Sequence, residues 1–131
     1  MRVVIDANVL LAGFATHGLC EALVAVVLES HHLMLSEHLL GEVRRHLTGK
    51  FRVPEARAAE IDAFLRAQAE LVHPLAVPRK VCRDRDDLPV LGTALAGLAS
   101  VLVSGDQDLL VLEQHGGVPI LTPRAAYERL R

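Results

Sequence analysis

The sequence predicts an α/β fold, a three-layer α/β/α sandwich around a central, mostly parallel sheet. Short apolar runs at residues 3–5, 33–36 and 101–104 alternate with longer segments of helical periodicity. Hydrophobic residues make up 51% of the chain and aromatics only 3%, a balance of Leu, Val and Ala that suits helices packed on a sheet. No repeat, linker or low-complexity segment interrupts the 131 residues, so residues 1–131 are expected to form one domain.

The elements follow in order. Residues 3–5 (Val-Val-Ile) read as a buried strand that ends on a carboxylate, Asp6, with a carboxamide, Asn8, two residues on. Residues 9–13 read as an apolar turn closed by Gly13. A helix is expected from Thr16 or His17 through Glu29, with Leu19, Leu23, Val26 and Val27 on one face. After His31-His32, residues 33–36 form a second strand, and Ser36 caps a helix over residues 37–48 with Leu39, Leu40, Val43 and Leu47 inward. Pro54 opens a helix to Glu70 with Ile61, Phe64, Leu65 and Leu71 inward. Residues 71–73 are a third strand candidate, and Pro74 and Pro78 mark a loop. Residues 83–87 (Arg-Asp-Arg-Asp-Asp) form a charged turn into an Ala/Leu helix over residues 88–98, fed by a strand-like segment at residues 80–82 or by the loop before it. Residues 101–104 are the next strand. A short helix over residues 109–114, a last strand at residues 119–121 and a closing helix from Thr122 or Pro123 to Leu130 complete the chain.

Composition excludes several function classes. The net charge of −2 is too small for a protein that holds nucleic acid by bulk counterion release. Cys20 and Cys82 show neither a disulfide framework nor metal-type spacing, which points to two buried thiols in a reducing compartment. The N-terminus does not read as a signal peptide and no apolar stretch is long enough for a bilayer, so a soluble cytoplasmic protein is expected.

The chemistry lies in the acids. A carboxylate at the end of an interior strand is costly unless something pairs with it, and ligands of parallel sheets bind at the strands' carboxyl ends. Two strand ends carry acids this way, Asp6 and Ser104-Gly105-Asp106. Asp108 stands two residues further on, and Glu42 lies off its helix's apolar stripe. Clustered carboxylates need a neutralising cation, and an all-oxygen ligand set favours Mg²⁺ or Mn²⁺ over Zn²⁺. Such a site suits metal-assisted phosphodiester hydrolysis. Taken singly, Asp87 and Asp108 are ordinary helix caps and Glu42 an ordinary solvated helix residue. The Asp6–Asp106 pair is the unusual feature.

Taken together, these segments resemble the PIN domain family of metal-dependent ribonucleases, many of them toxins of toxin–antitoxin pairs. Val-Ile-Asp6-Ala-Asn8-Val-Leu resembles the family's first motif, and Leu-Ser-Glu-His-Leu-Leu-Gly-Glu42-Val its second. Arg-Asp84-Arg-Asp86-Asp87-Leu-Pro-Val-Leu-Gly resembles the third, and Leu-Val-Ser104-Gly-Asp106-Gln-Asp108 the fourth. The resemblance implies that Asp6, Glu42, Asp87 and Asp106 are catalytic and hold Mg²⁺ or Mn²⁺, with Asp87 preferred and Asp84 the alternative for the third acid. Asn8, Ser104 and Asp108 become auxiliary residues. It further implies water attack on an RNA phosphate that leaves a 5′-phosphate, a small antitoxin protein as partner, and a homodimer. The densest basic block, Arg44, Arg45, Lys50, Arg52 and Arg57, is the candidate RNA track; a solvated surface is its plain alternative.

Other readings fit less well. His38, Glu42 and His46 stack at four-residue spacing, but with no His-Glu-x-x-His motif and no further cluster they make a poor zinc site. A haloacid-type phosphatase wants Asp where Asn8 stands, and a receiver domain wants a Lys after a late strand, where none occurs beyond Lys80. The alternative to a ribonuclease is a PIN-like scaffold that binds RNA or protein with little or no catalysis.

Overall fold

A computed structural model describes residues 1–131. Its centre is a six-stranded sheet in the order β3-β2-β1-β4-β6-β5. The strands are β1 (Arg2–Ile5), β2 (His32–Leu35), β3 (Glu70–Leu71), β4 (Val101–Val103), β5 (Gln114–His115) and β6 (Val118–Leu121). All pairings are parallel except the β5–β6 hairpin at one edge. Helices α1 (Ala7–Ala15), α2 (Leu19–Ser30), α3 (Glu37–Thr48), α4 (Glu55–Gln68), α5 (Leu88–Ala96), α6 (Gln107–Leu110) and α7 (Pro123–Leu130) flank the sheet, giving the expected α/β architecture.

The central strands are short and, past the opening Arg2 of β1 and His32 of β2, apolar because they are covered on both faces, as parallel strands usually are. Val3, Val4, Ile5, Val101, Leu102 and Val103 are all fully buried. They seed a core of 33 buried hydrophobic residues, to which α3 contributes Leu39, Leu40, Val43 and Leu47. No single helix is long and apolar enough to cross a membrane.

The strand order reverses between β1 and β4. The chain runs outward from β1 through β2 to β3, then returns to β4 on the other side of β1. In open α/β sheets, the crevice beyond the strand ends at such a reversal is the preferred ligand position. Ile5 pairs with Val103, so Asp6 and Ser104 leave the sheet side by side, and Asp6 N–H donates to Val103 O at 2.9 Å.

Several expectations are corrected. Residues 9–13 are not a turn; they are the middle of α1. Asp6 Oδ1 accepts from Ala7 N–H at 2.8 Å, and its carbonyl accepts from Val9 and Leu10 N–H, so the strand-end acid starts a helix at once. The next helix therefore starts later than expected, at Leu19. No strand forms at residues 80–82. Arg79–Val81 is a 3₁₀ turn, and β3 feeds α5 through a long loop over the sheet's carboxyl edge. That loop is pinned where Leu75 N–H donates to Gly92 O at 3.1 Å.

Phe64 and Leu71 are each 43% exposed, not inward. Phe64 instead meets Phe14 edge-on, with ring centres 6.2 Å apart, because α4 packs on α3 through Ala58, Ile61 and Leu65. The helix expected at residues 109–114 is α6, which stops at Leu110. The chain then turns into β5, and Gly116 and Gly117 at φ 57° and 83° close the hairpin with the left-handed backbone that glycine tolerates.

Candidate metal centre

Four acids border the β1–β4 crevice: the charges of Asp6, Asp87 and Asp106 act on one another, and Glu42 joins them through Asp6. Asp6 follows β1, and Asp106 lies two residues past Ser104 at the end of β4. Asp87 stands at the start of α5, and Glu42 on α3. Asp6 and Asp87 are each only 6% exposed and Ser104 is fully buried, while Glu42 and Asp106 are half-buried.

Ser104 ties the two strand ends together. Its hydroxyl donates to Asp6 Oδ2 at 2.8 Å and accepts from Asp106 N–H at 3.0 Å. Asp106 Oδ1 in turn accepts from Asp108 N–H at 2.8 Å and caps α6. Asp106 is thus the cap of that short helix, a part that the sequence left open to Asp108.

Asp87 precedes α5 but forms no side-chain cap; Asp84 caps the 3₁₀ turn before it, accepting from Asp86 N–H at 2.9 Å. Asp84 is exposed whereas Asp87 is buried against the crevice. Asp84, Asp87 and Asp108 each offer a carboxylate oxygen within 4.8 Å of the other two, a spacing that a metal ion can bridge. The acids of the third and fourth motifs therefore adjoin one another.

The electrostatics record crowding. Burial pushes the Asp87 carboxyl up to about 8, and the neighbouring charges of Asp106, Asp84 and Asp6 push the same way; a hydrogen bond with Asp106 favours its protonated form. Burial also raises Asp6, against the opposing hydrogen bonds from Ser104 and Ala7 and with a further rise from Asp106. Glu42 is raised by burial, opposed by His38 and reinforced by Asp6. A proton on Asp87 thus relieves in the metal-free protein the repulsion that a divalent cation would relieve. The donors are all carboxylate oxygens, so the residues present fit Mg²⁺ or Mn²⁺.

The structure adds neighbours that the sequence reading did not assign to this centre. His38 Nε2 lies 2.9 Å from Glu42 Oε1, but out of line for a hydrogen bond, and both atoms are buried without another partner. The Cys82 thiol, 3% exposed, lies 3.3 Å from Asp108 O and 3.9 Å from Asp87 Oδ2. His38 was visible as the residue one turn before Glu42. Cys82 reaches the acids by the path of a loop, which leaves no periodic signal.

The His38–Glu42–His46 stripe does not converge on a zinc site. His46 Nδ1 turns back to Glu42 O at 2.8 Å, away from the contact between the His38 and Glu42 side chains. Asn8 lies exposed on the first turn of α1, lining a groove rather than bonding to Asp6. Within the basic block, Arg44 pairs with Glu55 and stands 3.9 Å from Asp62, and Arg57 pairs with Glu60 at 3.0 Å. Arg45, Lys50 and Arg52 form no ion pair.

The PIN domain family model matches residues 2–108. The chain belongs to the PIN domain family. Its fold is similar to that of VapBC2 from Rickettsia felis, whose crystal structure holds a DNA fragment from the promoter; the TM-score is 0.64 at 13% identity, over 93% of this chain and 98% of that one. VapBC-1 from nontypeable Haemophilus influenzae gives a TM-score of 0.63 at 13% identity, over 95% of this chain and 99% of that one. No curated protein matches the sequence.

Proposed function

We propose that this chain is a divalent-metal-dependent endoribonuclease and the toxin of a toxin–antitoxin pair. The observation that carries this reading is the convergence of Asp6, Asp87 and Asp106 at the sheet's reversal point, with Asp87 pushed up to about 8. Perturbed acids in a crevice are a signature of functional sites.

In this reading Asp6, Glu42, Asp87 and Asp106 hold Mg²⁺ or Mn²⁺, and Asp87 is the third acid because it is buried among the others while Asp84 is exposed. The cation supplies positive charge that activates water and offsets charge on the attacked phosphate. Ser104 fixes the Asp6 carboxylate against Asp106, and the N-terminus of α1 favours negative charge on Asp6. Asp108 and Asp84 flank the acids, and Asn8 faces the strand's approach. Arg45, Lys50 and Arg52, free of ion pairs, draw the RNA phosphates toward an otherwise acidic edge; Arg44, engaged with Glu55, contributes less. The product carries a 5′-phosphate, as the family resemblance implies.

The likeness to VapBC assemblies supports a small antitoxin partner; the homodimer follows from the family resemblance, and the cytoplasmic setting from two free thiols in no disulfide framework. The test is cleavage of a mixed RNA pool with Mn²⁺ and with chelator. Asp6→Asn and Asp106→Asn should each abolish metal-dependent cleavage while circular dichroism stays that of the parent. Parent-like cleavage by Asp6→Asn would refute the mechanism.

A further inference from the structure

Beside the acids, a groove of about 210 Å³ opens between α1 and α3. Leu11 forms part of its floor, and Asn8, Thr16, His46, Lys50 and Phe51 line it. We propose that this groove is a binding subsite for one unpaired nucleotide of the RNA strand, next to the nucleotide whose phosphate meets the acids. The proposal rests on the ribonuclease reading for its orientation.

Position is the first argument. Glu42 and His46 follow one another at four-residue spacing, so α3 carries one face from the acids to the groove, about 6 Å along the helix, and Lys50 lines the groove from the turn just past the helix end. Asn8, two residues after Asp6, lines the same groove from the first turn of α1. The groove is therefore the next space that a strand lying on the acids would enter.

Chemistry is the second argument. Lys50 Nζ stands over one face of the Phe51 ring, 5.8 Å from its centre, and Phe51 is 41% exposed. A cation with no ion-pair partner and an aromatic face are thus presented together, the pairing that single-stranded nucleic acid sites use for phosphate and base. The polar wall has open acceptors. His46 donates its Nδ1–H to Glu42 O, which leaves Nε2 without a partner in the protein. The Thr16 hydroxyl gives its proton to Ala12 O at 2.6 Å and keeps its lone pairs. Bases and ribose supply N–H and O–H donors to such groups. The volume is below the ~300 Å³ at which pockets for drug-sized ligands begin, which suits a single base.

The test is a titration of the full chain, in Mg²⁺, with each of the four nucleoside 5′-monophosphates and with ribose 5-phosphate, followed by NMR of isotope-labelled Phe and His rings. Phe51 and His46 signals should shift together and saturably with the nucleotides, while Phe14 and Phe64 stay in place. Ribose 5-phosphate should bind more weakly, for want of a base. Phe51→Leu keeps an apolar side chain but removes the aromatic face, and should weaken nucleotide binding about fivefold, the lower end of what stacking contributes. Lys50→Gln should weaken binding of nucleotides and ribose 5-phosphate alike.

The subsite is refuted if ribose 5-phosphate binds as tightly as the nucleotides, if Phe51→Leu binds like the parent, or if the shifts fall on Phe14 and Phe64 instead. These readouts involve no cleavage. Nucleotide binding at Phe51 and His46 without RNA hydrolysis would retain the subsite and remove the ribonuclease; metal-dependent hydrolysis without those shifts would do the reverse.

Discussion

Ser104 Oγ donates to Asp6 Oδ2 at 2.8 Å across the reversal point of the sheet, joining residues 98 positions apart. The same oxygen accepts from Asp106 N–H, so one buried hydroxyl sets the spacing of both strand-end acids. Ser104→Ala should leave Asp6 Oδ2 without its donor and Asp106 N–H without its acceptor. Loss of about 1–3 kcal/mol of stability is expected, measured by urea unfolding. Mn²⁺ affinity, measured by calorimetry, should fall about 10–100-fold, the usual effect of removing a group that orients a ligand. Unchanged Mn²⁺ affinity in Ser104→Ala would show that the hydroxyl does not organise the metal centre.

Crowded acids also make the fold itself report on cations. Asp6, Glu42 and Asp87 all have their carboxyls raised by burial, so the metal-free protein holds its charged form at a cost. An ion bound only by the folded state stabilises it, by about 2.7 kcal/mol at 100 times its dissociation constant. The melting temperature should therefore rise with added Mn²⁺ and fall back with chelator. In Asp106→Asn the rise should shrink or vanish, while the melting temperature in chelator should be at least that of the parent, because one like charge is gone. An equal Mn²⁺ response in parent and variant would place the bound ion elsewhere.

The legibility of the sequence followed the range of the forces involved. Strand ends and amphipathic faces are local patterns, so Ile5-Asp6, the Ser36 cap and the apolar stripe of α3 could be read directly, and the structure forms each of them. Residues 9–13 form helix and not the expected turn because Asp6 caps the chain at Ala7, and a capped Ala-Asn-Val-Leu-Leu run continues as helix. Periodicity places Phe64 inward, but α4 buries Ala58, Ile61 and Leu65, and Phe64 lies beside that face against Phe14. The choice between Asp84 and Asp87 depended on a loop path, which periodicity does not encode. The two differ in burial, Asp87 buried and Asp84 exposed, but both bring a carboxylate oxygen within 4.8 Å of the other and of Asp108. The contacts of Cys82 with Asp87 and Asp108 have the same origin.

Gly92 holds that loop path. A Cβ at this position would sit 2.2 Å from Leu75 O and 3.1 Å from the Pro74 side chain, and Leu75 N–H already bonds to Gly92 O. The contact is backbone against backbone, so no side-chain rotation relieves it. Gly92→Ala should cost about 1–3 kcal/mol, the range for overpacking, despite alanine's better helix propensity. The loop leads from Leu75 to Asp84 and Asp87, so amide exchange should accelerate over residues 72–87 more than over β1 and β4. Parent-like stability would mean that the loop moves aside freely and does not locate Asp87.

Asp87 gives the metal-free protein a specific pH dependence. Its folded-state carboxyl titrates near 8, well above the ~3.9 of an unfolded aspartate. An acid raised on folding contributes stability that is fully present below its unfolded value and is lost as pH rises through its folded value. In chelator, stability should therefore decline from about pH 4 to about pH 8, with Asp6 and Glu42 adding to the decline in the same direction. Asp87→Asn removes the largest of these titrations and should flatten the profile, ending more stable than the parent at pH 8. Saturating Mg²⁺ should flatten the parent's profile too, because the cation takes the place of the proton. Urea unfolding at pH 5, 6.5 and 8 with chelator checks this directly. A parent profile that rises over this interval, or an Asp87→Asn profile with the parent's slope, would contradict the placement of Asp87 among the buried acids.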